Sequence, residues 1–327
     1  MKILHFLFLV LMFLIVLGFS LWAGLALYFQ ALAAYKWGLI GIWGVFAVLS
    51  LWGLCRPKGR RRSLLVFAVG AAILLSWWSF ITPSLDRDWA PELAQTLTGE
   101  IDGDKVTLRN VRNFNWRTSA DFDARWETRN YDLDQLDSID MILSYWGSDA
   151  IAHTLLSFGF ANGDHAVFSV EIRRENDEEF STIGGFFKQY ELAILVADEN
   201  DIVRLRTNVR DPLEDVYLYP IVTTKEHRIA LFKGLVGKAN ELAGQARFYN
   251  TLTANCTTVI YGLIRKYRDD VPMDIRIIQS GYLPDYMAEH GALDWPKPYG
   301  DIRARAAISA KGQGIAAGQD YSVVIRE

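Results

Sequence analysis

Cys256 lies in the run Ala254-Asn255-Cys256-Thr257-Thr258, directly before the apolar stretch 259–264, a pattern that predicts the N-terminus of a helix. Unpaired backbone N–H groups at such a terminus favour negative charge, so a thiol there gains thiolate character at neutral pH. The same N–H groups can face the oxyanion of a tetrahedral intermediate. Read without context, a lone cysteine is more often a small buried hydrophobe than a nucleophile. What turns the balance is a nearby base. His153 opens a β-hairpin candidate whose turn contains Asn162-Gly163. With a two-residue turn, His153 would face Ile172 and polar and apolar side chains would mix on both faces. With a three-residue loop 161–163 and a left-handed Gly163, opposed residue numbers sum to 324 and the faces separate. Thr154, Leu156, Phe158 and Phe160 then share an apolar face with Ala166, Phe168 and Val170, whereas His153 lies opposite Glu171 on the other. A carboxylate there would orient the imidazole and complete a Cys–His–Glu arrangement.

His165 is the alternative orienting residue. In that register it pairs with Gly159, six residues along the strand and hence ~20 Å from His153, so Glu171 is the better candidate. His227 and His290 have no evident partner, no His/Asp/Glu spacing matches a zinc site, and the scattered glycines make no phosphate loop, so neither cofactor nor metal is expected. Only two cysteines are present, which excludes a disulfide scaffold. Arg112, Arg117, Arg173, Arg174, Arg204 and Arg206 are candidates for phosphate contacts, of which one or two would be functional.

The elements that must position these groups form one α+β unit at 109–327, after a connecting segment at 83–108. Alternation predicts strands at 107–117, 190–197, 201–208 and 216–219, and the hairpin at 154–175. A short helix is expected within 134–146, longer ones at 225–243 and 256–267, and a loosely ordered tail around Gly312, Gly314 and Gly318.

Before this unit, residues 1–82 hold three apolar stretches, at 3–29, 37–54 and 64–81, each about long enough to cross a hydrocarbon core of ~30 Å. The first is too long for the h-region of a signal peptide, so it is read as a retained helix. The chain has 34 basic and 38 acidic residues, but the first acid is Asp86; residues 1–85 carry +7 and the remainder −11. Arg56, Lys58, Arg60, Arg61 and Arg62 between the second and third stretches should stay in the cytoplasm, which puts the N-terminus there and exports the chain from about Pro83. Tryptophans cluster near the stretch ends, His5 is expected at the interface, and no central charge suggests an ion path. The acidic exported part argues against nucleic acid as a partner. Cys55, on the cytoplasmic side, cannot pair with Cys256, which is therefore expected to be a free thiol.

Several strings together, "RNVRNFNWR", "SDAIAHTLLSFGF", "FSVEIRRE", "FFKQYELAILVADENDIVRLRTNVR", "DVYLYP" and "FYNTLTANCTT", resemble a bacterial periplasmic domain family over roughly residues 109–268. It is the Lnb N-terminal periplasmic domain family, named after the N-terminal part of the Bacteroides-type lipoprotein N-acyltransferase. The family in turn resembles circularly permuted NlpC/P60 papain-like cysteine enzymes, with histidine before cysteine in the chain. The resemblance implies Cys256 as nucleophile and His153 as base, and the His153–His165 spacing is similar to the paired histidines of lecithin:retinol acyltransferase-like enzymes. It also implies a membrane-anchored cysteine acyltransferase of the bacterial inner membrane, with phospholipid as acyl donor and a lipoprotein N-terminal amine as acceptor. In the Bacteroides-type enzyme a membrane region follows the domain, whereas here three apolar stretches precede it. An exported cysteine peptidase or amidase and a non-catalytic binding module are the competing expectations.

Overall fold

The computed structural model describes residues 2–293, 300–316 and 318–327. They form two compact units, one of residues 1–84 with 180–189, the other of residues 85–179 with 190–327.

The first unit contains three apolar helices, α1 (Lys2–Gln30), α2 (Lys36–Cys55) and α3 (Arg60–Ser79), each long and apolar enough to cross a membrane. They are apolar on all sides, the pattern of helices solvated by lipid rather than by water. Small residues allow close contact: a Cβ on Gly70 would lie 2.6 Å from the Phe46 ring. Phe67 stacks on Phe46 at 5.9 Å and meets Phe19 edge-on at 5.8 Å, and the Trp43 indole donates to the Ser20 carbonyl at 3.1 Å. His5 contacts Arg60 at 3.1 Å, at the helix ends that carry the basic loop.

The second unit is a mixed helix and sheet domain. Its strands are β1 (Thr98–Asp102), β2 (Lys105–Arg112), β3 (Asn115–Trp116), β4 (Phe122–Asp123), β5 (Trp126–Asp132), β6 (Leu136–Tyr145), β7 (Ala152–Phe160), β8 (His165–Arg173), β9 (Glu191–Ala197) and β10 (Asp215–Pro220). The main sheet runs β1-β2-β9-β8-β7-β6-β10, with β5 also on β2; β2 and β9 are parallel and the other pairs antiparallel. Residues 98–108, placed by sequence in the connecting segment, thus supply β1 and part of β2. On one face of the sheet lie α4 (Lys225–Gly244) and α5 (Cys256–Ile264), followed in sequence by α6 (Leu283–Glu289). Phe232 of α4 meets Phe158 and Phe168 edge-on at 5.2 and 5.0 Å, anchoring the larger core.

Three local expectations fail for reasons that lie far along the chain. The stretch 134–146, expected to contain a helix, takes in only the end of the 3-10 turn Leu133–Gln135 and is otherwise almost all inner strand: β6 fills 136–145, paired with β7 and β10. Its buried Asp140 breaks the apolar pattern and is matched by Arg326, 2.7 Å away at the other end of the sequence. The expected strand at 201–208 is instead helical, in two wide turns, Glu199–Val203 and Leu205–Val209. Buried Asp201 holds it there by accepting from Arg112 Nε and Nη2, Trp116 Nε1 and the Phe114 N–H at 2.7–3.0 Å. The tail is ordered: α7 (Gly300–Ala306), α8 (Ser309–Gln313) and α9 (Tyr321–Val324) carry Ile308, Tyr321 and Ile325 into a second core with Ile142, Leu155 and Val167. Arg326 there also pairs with Glu199 at 2.6 Å.

Candidate functional site

The hairpin β7–β8 adopts the three-residue loop. Gly163 is left-handed at φ 90°, Phe160 N–H donates to Asp164 O at 2.9 Å, and the register runs Leu155↔Ser169, Ser157↔Val167, Gly159↔His165. Extending that register by two pairs sets His153 opposite Glu171, and their side chains meet: His153 Nε2 lies 3.1 Å from Glu171 Oε1. Ser169 joins them, 2.7 Å from the same ring nitrogen and donating to Glu171 Oε1 at 2.6 Å.

Cys256 arrives from α5. Asn255 caps the helix, its side chain accepting from the N–H groups of Thr257 at 3.0 Å and Thr258 at 2.8 Å, while Thr258 Oγ1 accepts from Asn255 N–H at 2.9 Å. This reciprocal box occupies three of the orphan donors at the helix start and leaves the Cys256 N–H outside the cap. The thiol lies close enough to His153 and to the backbone N–H of Thr154 for both to favour its charged form. His153, Glu171 and Cys256, expected together from the sequence, are therefore adjacent.

Their electrostatics reinforce one another. Burial alone would push the thiol up, but the hydrogen bond and charge of His153 outweigh it and bring the Cys256 pKa below its ordinary value. Burial would likewise lower His153; the Glu171 carboxylate and the sulfur reverse this and raise the imidazole to about 9. For Glu171, the burial that disfavours its charge is overcome by His153, Arg206 and Ser169, which hold the carboxyl well below the usual range. The combination favours a thiolate–imidazolium pair over the neutral pair.

Three participants were missed from sequence. Ser169 was visible on the same strand face as His153 and Glu171, two residues from the latter, where period-2 reasoning would have found it. Arg206, almost wholly buried, lies 3.4 Å from Glu171 and 3.8 Å from Glu214, and no local signal announced that pairing. Tyr249 stands close enough to Cys256 for burial and the sulfur's charge to push its phenol well up.

The other candidates lie elsewhere. His165 pairs with Gly159, with its Nδ1 3.1 Å from the Gly163 carbonyl, six positions along β7 from His153. His227 packs on Tyr267 at 5.2 Å and His290 on Tyr286 at 4.4 Å. Of the arginines, Arg112 serves Asp201, Arg117 pairs with Asp121 and Asp123, Arg173 donates to the Leu93 and Ala94 carbonyls, and Arg174 pairs with Glu92. Among the described residues no group of three or more His, Cys, Asp or Glu side chains is arranged to hold a metal.

Beside the site lies a cavity of about 150 Å3 with a mainly apolar lining that includes Met141, Leu156, Ile260 and Ile264. Thr154 and Thr257, the residues that follow His153 and Cys256, also line it, and the buried Thr154 Oγ1 has no hydrogen-bond partner.

The model of the Lnb N-terminal periplasmic domain family matches residues 122–281, the stretch that holds His153, Ser169, Glu171 and Cys256. No curated protein and no solved structure matches the chain. With the three apolar helices ahead of it, the match makes this a membrane protein with a periplasmic C-terminal domain. Residues 122–281 belong to the Lnb N-terminal periplasmic domain family.

Proposed function

We propose that the protein is a membrane-anchored cysteine acyltransferase of the bacterial inner membrane. The observation that carries the reading is the adjacency of Cys256, His153 and Glu171, with the thiol pKa lowered and the imidazole pKa raised.

In the first half-reaction the Cys256 thiolate attacks the carbonyl carbon of a phospholipid ester. Nε2 of His153 faces Ser169 and Glu171, so Nδ1 is the nitrogen that exchanges a proton with the sulfur. The Cys256 N–H, outside the helix cap, is the candidate donor to the tetrahedral oxyanion. On collapse the lysophospholipid leaves as an alcohol, taking its proton from the imidazolium, and the acyl group remains on sulfur as a thioester. In the second half-reaction the acceptor amine, by family resemblance the N-terminal amine of a diacylglyceryl-modified lipoprotein, attacks that thioester. His153 accepts the amine proton, the thiolate leaves and an amide forms. The donor ester supplies the acyl group, so the scheme calls on no cofactor.

The apolar cavity favours a lipid-derived acyl group over a peptide. Met141, Leu156, Ile260 and Ile264 in its lining offer the apolar surface that an acyl chain would cover. Its wall is shared with the residues next to the nucleophile and base. Anchorage in the bilayer confines enzyme, donor and acceptor to one surface, which raises their effective concentration.

The test is mass spectrometry of the full-length protein after incubation with phospholipid vesicles. The expected result is a fatty-acyl adduct on Cys256, absent in Cys256→Ala and released by hydroxylamine. An unacylated Cys256 in protein that cleaves cell-wall peptide would replace the transferase with a peptidase, and a thiol inert to both lipid and alkylating reagent would leave a binding module.

A further inference from the structure

The segment joining β8 to β9 contains Phe180-Ser181-Thr182-Ile183-Gly184-Gly185-Phe186-Phe187-Lys188-Gln189, and it belongs to the unit of the three apolar helices. It is tied to the helix ends by specific bonds. Gln30, the last residue of α1, donates its side-chain amide to the carbonyls of Phe187 and Lys188, both at 2.9 Å. Lys188 Nζ donates to the carbonyls of Trp78 at 2.9 Å and Ile81 at 3.0 Å, satisfying acceptors at the end of α3. Phe187 stacks on Phe29 at 5.5 Å and meets Trp78 edge-on at 6.4 Å. Lys188 adopts φ 58°, sparsely populated for a side chain other than glycine, as these contacts require.

With Phe187 and Lys188 thus pinned and Gly184 and Gly185 buried, three apolar side chains of the segment face outward. Phe180, Ile183 and Phe186 are 56%, 53% and 39% exposed, and no charged residue occurs from 180 to 187. The chain just before it, Glu175 to Glu179, carries four acids, so the polarity changes at a single peptide bond. The ends of α1 and α3 that hold the segment carry Tyr28, Phe29, Trp77 and Phe80, and the start of α2 adds Tyr35 and Trp37, together the aromatic belt of a membrane–water interface. An apolar patch continuous with lipid-solvated helices at that level has the bilayer as its natural cover.

We propose that residues 180–187 insert into the interfacial layer of the leaflet facing the periplasmic domain, with Phe180, Ile183 and Phe186 as the lipid-contacting side chains. The segment is a fourth membrane contact of the chain, one that the hydropathy of its spans does not reveal. The partner is a phospholipid surface, whatever substrate the Cys256 site takes.

The experiment uses full-length protein carrying Cys55→Ser and Cys256→Ser. A single Ile183→Cys, Phe186→Cys, Phe80→Cys or Asp269→Cys is labelled with an environment-sensitive fluorophore and reconstituted in phosphatidylcholine vesicles. With brominated acyl chains in the lipid, the probes at Ile183 and Phe186 are expected to lose fluorescence as far as the probe at Phe80 does, whereas the one at exposed Asp269 keeps it. Quenching of the Ile183 and Phe186 probes by aqueous iodide as freely as at Asp269 overturns the proposal. Protection from iodide without quenching by brominated lipid overturns it too, since protein would then cover the patch.

Discussion

At the residue scale, the proposed reaction turns on the proton shared between Cys256 and His153. The reactive form holds a Cys256 thiolate and a His153 imidazolium, so it exists between the lowered thiol pKa and the raised imidazole pKa of about 9. Alkylation of Cys256 by iodoacetamide should therefore rise with pH through the thiol titration, below the ordinary cysteine range, and turnover should fall again above about 9. In Glu171→Gln the carboxylate that raises His153 most is gone. The alkaline limb should move to lower pH and turnover should drop roughly a hundredfold. His153 is raised above its ordinary 6.5, so its stabilising contribution is complete below that value and lost as pH climbs through about 9. Glu171 is depressed, so its contribution is present above 4.5 and lost as pH falls through its lower folded value. Thermal melts of wild type and Glu171→Gln should converge toward strong acid; a constant gap down to low pH would mean that Glu171 is not acting as a charge. An unchanged rate in the variant would remove Glu171 from the catalytic apparatus.

At the scale of elements, the site depends on one helix cap and one hairpin register. Asn255 takes the Thr257 and Thr258 N–H groups and donates to the Thr251 carbonyl at 2.7 Å, so Asn255→Ala should cost about 1 kcal/mol of stability. Asn255→Asp keeps a capping oxygen but sets a negative charge beside the sulfur, which raises the thiol pKa. It should melt closer to wild type than the alanine variant yet alkylate more slowly at neutral pH, a split that a purely structural role for Asn255 does not produce. Both elements were legible in sequence because their signals are local. Asn255 before an apolar run marks a helix start, and the segregation of Thr154, Leu156 and Phe158 from His153 and Ser157 selects one loop length. The features that were not legible depend on partners far along the chain. Asp140 and Asp201 are buried carboxylates whose matching arginines, Arg326 and Arg112, lie 186 and 89 residues away. Read alone, 134–146 suggested a stretch containing a short helix, and the alternation from Asp201 suggested a strand. Arg206, read as a possible phosphate ligand, is instead enclosed behind Glu171, because which arginine faces solvent is settled only when the sheet closes.

At the scale of the whole molecule, the uneven charge becomes an argument about orientation. The seven basic residues of 1–85 face no acid in that region, and five of them crowd the turn after α2 (Arg56, Lys58) and the first residues of α3 (Arg60, Arg61, Arg62). Translocating that loop would drive all five across the bilayer against the positive-inside bias, whereas leaving it in the cytoplasm sends the chain after α3 to the opposite side. The acidic unit with Cys256 then shares a compartment with exported lipoproteins, the acceptors that the proposed reaction needs. A labelling experiment separates this orientation from its reverse. In a Cys55→Ser/Cys256→Ser background, Lys58→Cys places a thiol in the basic turn and leaves four of its five charges, while Asp269→Cys places one on the exposed surface of the second unit. A membrane-impermeant maleimide should reach the thiol at 58 only in inverted vesicles and the thiol at 269 only in right-side-out ones. The opposite pattern would put the thiolate–imidazolium pair in the cytoplasm. The chemistry of the pair would survive that result, but its acceptor would have to be an amine present on the inner face, and the lipoprotein assignment would fall.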